Sequence, residues 1–133
     1  MKIRGQDVHG RGAYLASRGS RLHQGVDLVT DIDEPIKSFC CGTVSKIGYP
    51  YDPTSKTKGH FRYVQVTDLN NIKVRVFYIY PLVKIGDIIH KGQIIGISQD
   101  LTQVYPSITQ HIHFEVKKTR AFLNPLDYLK LEE

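Results

Sequence analysis

Most of the chain alternates apolar and polar residues in short runs, and glycine, asparagine or aspartate stands between the runs. A period of two is typical of half-buried β-strands. The pattern predicts strands in the segments HQGVDLVT, GTVSKIGYP, HFRYVQVTD, IKVRVFYIYP, GQIIGIS and HIHFEV. The third and fourth segments, broken at Leu69, Asn70 and Asn71, are predicted to form an antiparallel hairpin.

Helix is predicted only as short turns, because no segment keeps an apolar period of roughly 3.6 residues over about 12 positions. Such turns are expected around Arg11–Arg18 and Pro125–Leu129. The fold class is therefore predicted to be all-β, an antiparallel β-sandwich or partly open barrel. A chain of 133 residues without an internal repeat is expected to form a single domain over residues 1–133.

Composition changes this picture mainly through charge. The chain has 18 Lys+Arg and 13 Asp+Glu, a net charge of +5, which favours anionic partners such as bacterial wall polymers. The basic residues are scattered and form neither an aromatic-basic RNA signature nor a recognition helix, so no nucleic acid partner is predicted. No run of about 18 apolar residues is present, so no membrane insertion is expected. The N-terminal MKIRGQDVHG also lacks the apolar core of a signal peptide.

Two histidines in one predicted strand are the first candidate for chemistry. His111 and His113 stand at i and i+2 in HIHFEV, so their side chains point to the same face. Core packing does not explain them, because Ile112 and Phe114 already supply the apolar face. Two solvent-exposed histidines are the alternative interpretation.

The segment LHQGVDL offers a second set of polar side chains on one face. If it is extended, His23, Gly25 and Asp27 share that face, and Gly25 leaves room for an ion between the other two. Imidazole and carboxylate are both zinc donors, and a neighbouring strand that carries His113 would complete three protein ligands. Three ligands with a fourth position for water are typical of catalytic zinc, and His111 could accept a proton from that water.

Taken together, HQGVDL, KIGDIIHKGQIIG and HIHFEV resemble the motifs of the lysostaphin-type zinc peptidases, the M23 or LytM-like family. Within that family the chain is similar to the branch of leukocyte cell-derived chemotaxin 2, through RLHQGVDL, FYIYPL and QVYPSITQHIHFE. The resemblance implies a β-rich fold with one zinc ion in a long groove. It also implies an endopeptidase that cuts peptide bonds in the cross-links of bacterial cell-wall peptidoglycan.

By that resemblance His23, Asp27 and His113 correspond to the zinc ligands, and His111 corresponds to a catalytic histidine that acts as general base or orients the water. The peptidases carry a further catalytic histidine in a Y-x-H-L strand, and this chain has Tyr80 there, in FYIYPL. A phenol can donate a hydrogen bond to a developing oxyanion, although it is not cationic near neutral pH. Tyr80 is therefore predicted to join His111 in the catalytic set.

The resemblance leaves two functions open. One is a zinc metalloendopeptidase whose activity is reduced by Tyr80. The other is a catalytically inactive, zinc-stabilised binding module that recognises a wall peptide, a glycan or a receptor. His111 favours the first and Tyr80 favours the second. The expected partners are peptidoglycan cross-link peptides or other anionic wall polymers, and the protein is expected to be a monomer.

Several residues keep more than one interpretation. Glu115 either supports a metal ligand from behind or is a solvated carboxylate. His9 and His60 are either surface residues or groove contacts, and Tyr78 and Tyr105 are interpreted as packing residues. The chain lacks the disulfide framework of the chemotaxin branch, which favours a bacterial or phage origin, whether secreted, periplasmic or phage-associated.

Overall fold

The computed structural model describes residues 2–5, 17–18, 21–22, 25–119 and 121–132. Within these ranges the chain forms short strands followed by one helix at the C-terminal end. They are β1 (Ser17–Arg18), β2 (Arg21–Leu22), β3 (Val26–Val29), β4 (Pro35–Lys37), β5 (Gly42–Gly48), β6 (Tyr63–Asp68), β7 (Lys73–Phe77), β8 (Ile79–Pro81), β9 (Ile88–Ile89), β10 (Ile94–Ser98), β11 (His111–Lys118), β12 (Ala121–Leu123) and α1 (Pro125–Glu132).

The strands assemble into one large and one small open sheet. The large sheet has the order β12-β11-β7-β6-β5-β9. Strand β3 pairs with the first half of β11, on the same side of β11 as β12, which pairs with the second half. The small sheet has the order β4-β10-β8, and β1 and β2 form a separate pair. Every pairing between these strands is antiparallel, which confirms the prediction of an all-β, antiparallel fold with open sheets.

The hairpin predicted around Leu69, Asn70 and Asn71 is confirmed. Strands β6 and β7 pair in register from Tyr63↔Phe77 to Thr67↔Lys73. The Asp68 carboxylate closes the turn, because its Oδ1 accepts hydrogen bonds from the backbone N–H groups of Asn70 and Ile72, each at 2.9 Å. Aspartate at this position is a local turn signal that the sequence already carries.

Of the two helical turns that were predicted, one lies mainly outside the described residues and the other is longer than expected. The turn expected at Pro125–Leu129 is a full helix, Pro125–Glu132, which Asn124 caps by accepting a hydrogen bond from the N–H of Leu126 at 3.0 Å. Its Tyr128 hydroxyl donates to Asp68 Oδ2 at 2.6 Å. Of the turn expected at Arg11–Arg18, residues 11–16 lie outside the described residues, and Ser17–Arg18 are strand because they pair with β2. No described helix is long and apolar enough to cross a membrane.

Strand β11 carries the core on one face and polar side chains on the other. Ile112, Phe114 and Val116 are completely buried, and the Phe114 ring stacks on Phe39 with centroids 4.2 Å apart. The alternate positions, which include His111 and His113, face the opposite side of the sheet. The core therefore fixes which way the two histidines point.

We expect Phe114→Ala to lower the free energy of unfolding by about 3–5 kcal/mol, since it empties the centre of the core. Leu69→Ala is the matched control, because Leu69 is 87% exposed and its truncation removes little buried surface. Chemical denaturation of both variants measures the difference. Equal losses in the two variants would contradict this description of the core.

Candidate metal centre

The pairing of β3 with β11 places Asp27 directly opposite His113, so the two side chains lie on the same face of the sheet. Asp27 Oδ1 lies 2.9 Å from His113 Nδ1, and Asp27 is only 3% exposed. The structure therefore brings together two of the three side chains predicted to bind zinc, although they are 86 positions apart in sequence.

Gly25 makes this contact sterically feasible. A Cβ atom at that position would lie 2.9 Å from both Cε1 and Nε2 of His113 and 2.4 Å from the carbonyl oxygen of Phe114. Real Cβ atoms essentially never approach other atoms so closely. The His113 ring packs into the space that a side chain at position 25 would fill. Room for an ion between His23 and Asp27 stays a prediction, because His23 lies outside the described residues.

The donor types in this cluster fit zinc. Zinc binds imidazole nitrogen and carboxylate oxygen, the groups that His113 and Asp27 present to each other. His23, the third predicted ligand, lies outside the described residues. Within the described ranges alone, no group of three or more His, Cys, Asp or Glu side chains is arranged to hold a metal ion.

The His113 ring is held at both nitrogens. Nε2 lies 2.8 Å from Glu115 Oε1, on the side opposite to Asp27. Burial by itself would lower the pKa of His113, but the hydrogen bonds to Asp27 and Glu115 outweigh it and raise that pKa to about 9. Of the two interpretations of Glu115, the structure favours support of a ligand.

His111 lies beside this pair and is only 4% exposed, so it is not a solvated surface histidine. Its Nδ1 lies 2.7 Å from the carbonyl oxygen of Thr109, which can only accept a hydrogen bond, so Nδ1 carries the proton. In the neutral ring Nε2 is then an acceptor, and it lies 3.6 Å from Asp27 Oδ2. Burial lowers the pKa of His111, which keeps this acceptor available.

Arg4 completes the surroundings of Asp27. Its backbone N–H donates to the carbonyl oxygen of Asp27 at 2.7 Å, and its Nη2 lies 3.1 Å from Asp27 Oδ2. With the guanidinium at Oδ2, the other oxygen is directed toward His113. The sequence does not predict this contact of Arg4, because the short segment MKIRG has no pattern that indicates pairing with β3.

A comparison with known families agrees with this arrangement. The profile of peptidase family M23 matches residues 21–125, which include both predicted metal-binding motifs. The chain belongs to peptidase family M23. This confirms the family resemblance seen in the three sequence motifs, and the fold described above is the one expected for it.

This M23 protein is similar to proteins of two kinds. Leukocyte cell-derived chemotaxin-2 of Bos taurus is 33% identical over 114 residues, which cover 86% of this chain and 72% of that protein. The Mus musculus protein of the same name is 30% identical over the same shares. The solved catalytic domain of lysostaphin from Staphylococcus simulans superposes with a TM-score of 0.68 at 24% identity, over 91% of this chain and 89% of that one. The structure of LytU gives 0.70 at 20%, over 98% and 83%. The last two likenesses show a shared fold.

Tyr80 of this M23 domain occupies a different place from the Asp27–His113 pair. It lies on β8, opposite Ile97, and is 59% exposed. It lines an open cavity of about 420 Å³, whose described lining residues do not include Asp27, His111 or His113. The other residues lining this cavity are Asp33, His60, Ile97, Ser98, Gln99, Asp100 and Gln103.

Tyr78, interpreted from the sequence as a packing residue, is the tyrosine that contacts His111. The two rings meet edge to face, with centroids 5.8 Å apart and an interplanar angle of 88°. Tyr78 has φ 68°, a strained backbone for an aromatic residue. Its N–H donates to the carbonyl oxygen of Arg62, and its carbonyl oxygen accepts from the N–H of Gln99, both at 2.8 Å. Nothing in FYIYPL signals this conformation, because it depends on partners distant in sequence.

A chain of tyrosine hydroxyls leads away from His111. The hydroxyl of Tyr78 is 3.0 Å from that of Tyr51, which accepts a hydrogen bond from Tyr105 at 2.8 Å. Lys58 Nζ lies 5.2 Å from the ring centroids of both Tyr51 and Tyr105. Burial raises the pKa of Tyr78 to about 12 and raises that of Tyr51 as well, so the hydroxyls of these two residues stay protonated near neutral pH.

Two other histidines of the described residues, His60 and His90, have surroundings different from those of the pair. His60 lines the cavity beside Tyr80 and packs on Phe61 with ring centroids 4.3 Å apart. His90 is in the turn before β10, where its N–H donates to Gln93 Oε1 at 3.1 Å. His9 lies outside the described residues. The structure thus places His60 beside Tyr80, and a contact of His60 with a ligand stays a prediction.

We expect Arg4→Met to lower the free energy of unfolding of the metal-free protein by roughly 3–5 kcal/mol, because it removes the guanidinium from a buried carboxylate. Lys2→Met is the control, since Lys2 is an exposed residue of the same segment. Thermal or chemical denaturation in the presence of a chelator measures both variants. A loss in Arg4→Met no larger than in the control would show that the contact with Asp27 contributes little.

Proposed function

We propose that this M23 domain is a zinc-dependent endopeptidase that hydrolyses peptide bonds in bacterial cell-wall peptidoglycan. The observation that carries the proposal is the position of His111, whose Nε2 is an acceptor 3.6 Å from the carboxylate of the Asp27–His113 pair. Burying an imidazole costs stability unless its nitrogens are hydrogen-bonded, and the Thr109 carbonyl satisfies Nδ1 of His111. A proton acceptor beside a pair of metal donors is what hydrolysis of a peptide bond requires.

The roles follow from the donor atoms. His23, Asp27 and His113 would hold the ion, which supplies polarisation of the scissile carbonyl and a nucleophilic water near neutral pH. His111 accepts a proton at Nε2 while the Thr109 carbonyl keeps Nδ1 protonated. The same nitrogen can then deliver that proton to the leaving amine. Burial of the site by Tyr78 and Phe77, whose rings contact His111 and His113 edge-on, limits the access of bulk water.

The proposed substrate class is supported by the names of similar proteins and by the net charge of the chain. One solved structure of the same fold is named as an antimicrobial peptidase, lysostaphin. The net charge of +5 favours approach to the anionic polymers of a bacterial wall. Tyr80 and His60 supply aromatic surface in the open cavity, which is suited to contacts with an extended peptide.

A binding module without turnover is the second candidate function, and two observations favour it. The curated relatives are named chemotaxin-2, and they are 30% and 33% identical to this chain. Tyr80 also stands where the resemblance to the peptidases predicts a histidine. In this second function zinc stabilises the fold, and the cavity recognises a wall peptide, a glycan or a receptor.

We expect about one zinc ion per chain, and we expect His113→Ala to abolish zinc binding because it removes a ligand. His111→Ala should keep the zinc and lose turnover, because it removes the proton acceptor. Elemental analysis and the release of new amines from purified peptidoglycan measure the two properties. His90→Ala is the control, because its turn is separate from the site. Equal loss of zinc in the His111 and His113 variants would contradict the assigned roles.

Tyr80 separates the two candidate functions. If the site is an intact peptidase site, Tyr80→His should raise turnover of peptidoglycan about ten-fold or more. Tyr80→Phe should remove residual activity while zinc stays bound. Both expectations rest on the hydrogen bond to the oxyanion, since one such donor stabilises the transition state by roughly 2.7–4 kcal/mol. Tyr49→Phe, which removes a hydroxyl from another exposed tyrosine, is the control. If all these proteins are inert and bind the same wall fragments equally well, the binding module is the function and the peptidase is excluded.

A further inference from the structure

We infer that a row of polar side chains across four strands, Glu115, Arg75, Gln65 and Ser45, positions the His113 ring for metal binding. The inference rests on the proposed zinc site and extends it to residues far from the ligands. The register places Glu115 opposite Arg75 and Arg75 opposite Gln65, on the face of the large sheet that carries His113. We call these four residues the polar row.

The contacts along the polar row form one continuous path. Glu115 Oε1 lies 2.8 Å from His113 Nε2, and Glu115 Oε2 lies 4.0 Å from Arg75 Nη1. Arg75 Nε donates to Gln65 Oε1 at 2.7 Å, and Gln65 Nε2 donates to Ser45 Oγ at 2.9 Å. The path ends where Ser45 Oγ meets Thr67 Oγ1 at 2.7 Å.

The contacts along the polar row allow the Gln65 amide and the Arg75 guanidinium only one orientation each. Arginine can only donate, so the oxygen of the Gln65 amide must face Arg75 and its NH₂ group must face Ser45. Gln65 is only 5% exposed, so turning the amide around would leave buried groups unsatisfied at a cost of about 1–3 kcal/mol. Arg75 is in this way fixed at Nε while Nη1 points toward Glu115.

The end of the path determines the state of His113. An ionised carboxylate accepts a hydrogen bond and does not donate one, so Asp27 and Glu115 each favour a proton on the His113 nitrogen that faces them. When a metal ion takes the place of the proton on Nδ1, Glu115 keeps the proton on Nε2. Carboxylate–histidine–metal arrangements of this kind orient the ring and raise its basicity as a ligand. The metal affinity of the site should therefore depend on residues that touch no metal.

The apolar contacts of these strands come from the face opposite to the polar row. The opposite faces of the same strands are filled by valines of 2% exposure or less, and these supply the apolar contacts of the core. They are Val64, Val66, Val74 and Val76. Substitutions in the row therefore act on the site more than on the fold, which makes them suitable for a test.

The test measures the zinc affinity of the full chain by competition with a chelator of known affinity, without reference to catalysis. We expect Glu115→Ala to weaken binding about 10–100-fold, the usual effect of losing such an outer partner. Glu115→Gln should recover part of the loss, because its amide oxygen still accepts from Nε2–H. Gln65→Leu should weaken binding about several-fold, since Arg75 loses its fixed orientation. Lys117→Met is the control, because Lys117 lies on the same face of β11 beyond the polar row.

A second readout follows the proton itself. In the zinc-loaded protein the Nε2–H of His113 should give a slowly exchanging NMR resonance, which is lost in Glu115→Ala and retained in Lys117→Met. Equal zinc affinities for Glu115→Ala and the control would overturn the inference. A wild-type protein without zinc affinity would overturn both the inference and the proposed metal site. Zinc binding without turnover would overturn only the proposed peptidase activity and leave the inference standing.

Discussion

The register of β3 against β11 is the constraint on which the site depends. Side chains alternate between faces along a strand, so a slip of one residue would turn Asp27 toward the core and away from His113. The same slip would turn Val26 and Leu28, which are 0% and 3% exposed, away from the core, so their burial opposes it. Gly25 then allows the backbone near β3 to approach the His113 ring closely. Hydrophobic burial, which has no chemistry of its own, thereby fixes the geometry of the polar cluster.

Charges of alternating sign run through that cluster. Arg4 contacts Asp27, Asp27 contacts His113, His113 contacts Glu115, and Glu115 faces Arg75. Each group has a neighbour of opposite sign, which is the condition under which buried ionisable groups are tolerated in a region of low dielectric constant. Removing one group would therefore affect its neighbours, and single substitutions in this chain of contacts will not be additive.

The sequence predicts the parts of this structure that local pattern determines. Period-two alternation identifies the strands, Asp68 and the asparagines after it identify the hairpin, and the spacing within H-x-H puts His111 and His113 on a common face. Arg4 and the partners of Glu115 could not be predicted in this way. Their positions depend on which strands pair and in what register, and a single strand pattern carries no such information.

The positions of Tyr78 and Tyr80 could not be predicted from the strand pattern either, because Tyr78 interrupts the alternation of core-facing and outward-facing residues. Val76 is buried, and in a regular strand Tyr78 and Tyr80 would share its core-facing side. The positive φ of Tyr78 changes this parity, so that Ile79 becomes the buried residue and Tyr80 becomes exposed to the cavity. Such a backbone costs of order 1–3 kcal/mol, which the hydrogen bonds of Tyr78 and its contact with His111 help to offset. The strain thus places Tyr78 against the buried histidine and Tyr80 where a ligand can reach it. A side chain at position 80 is consequently available to a bound peptide whether or not that peptide is cut.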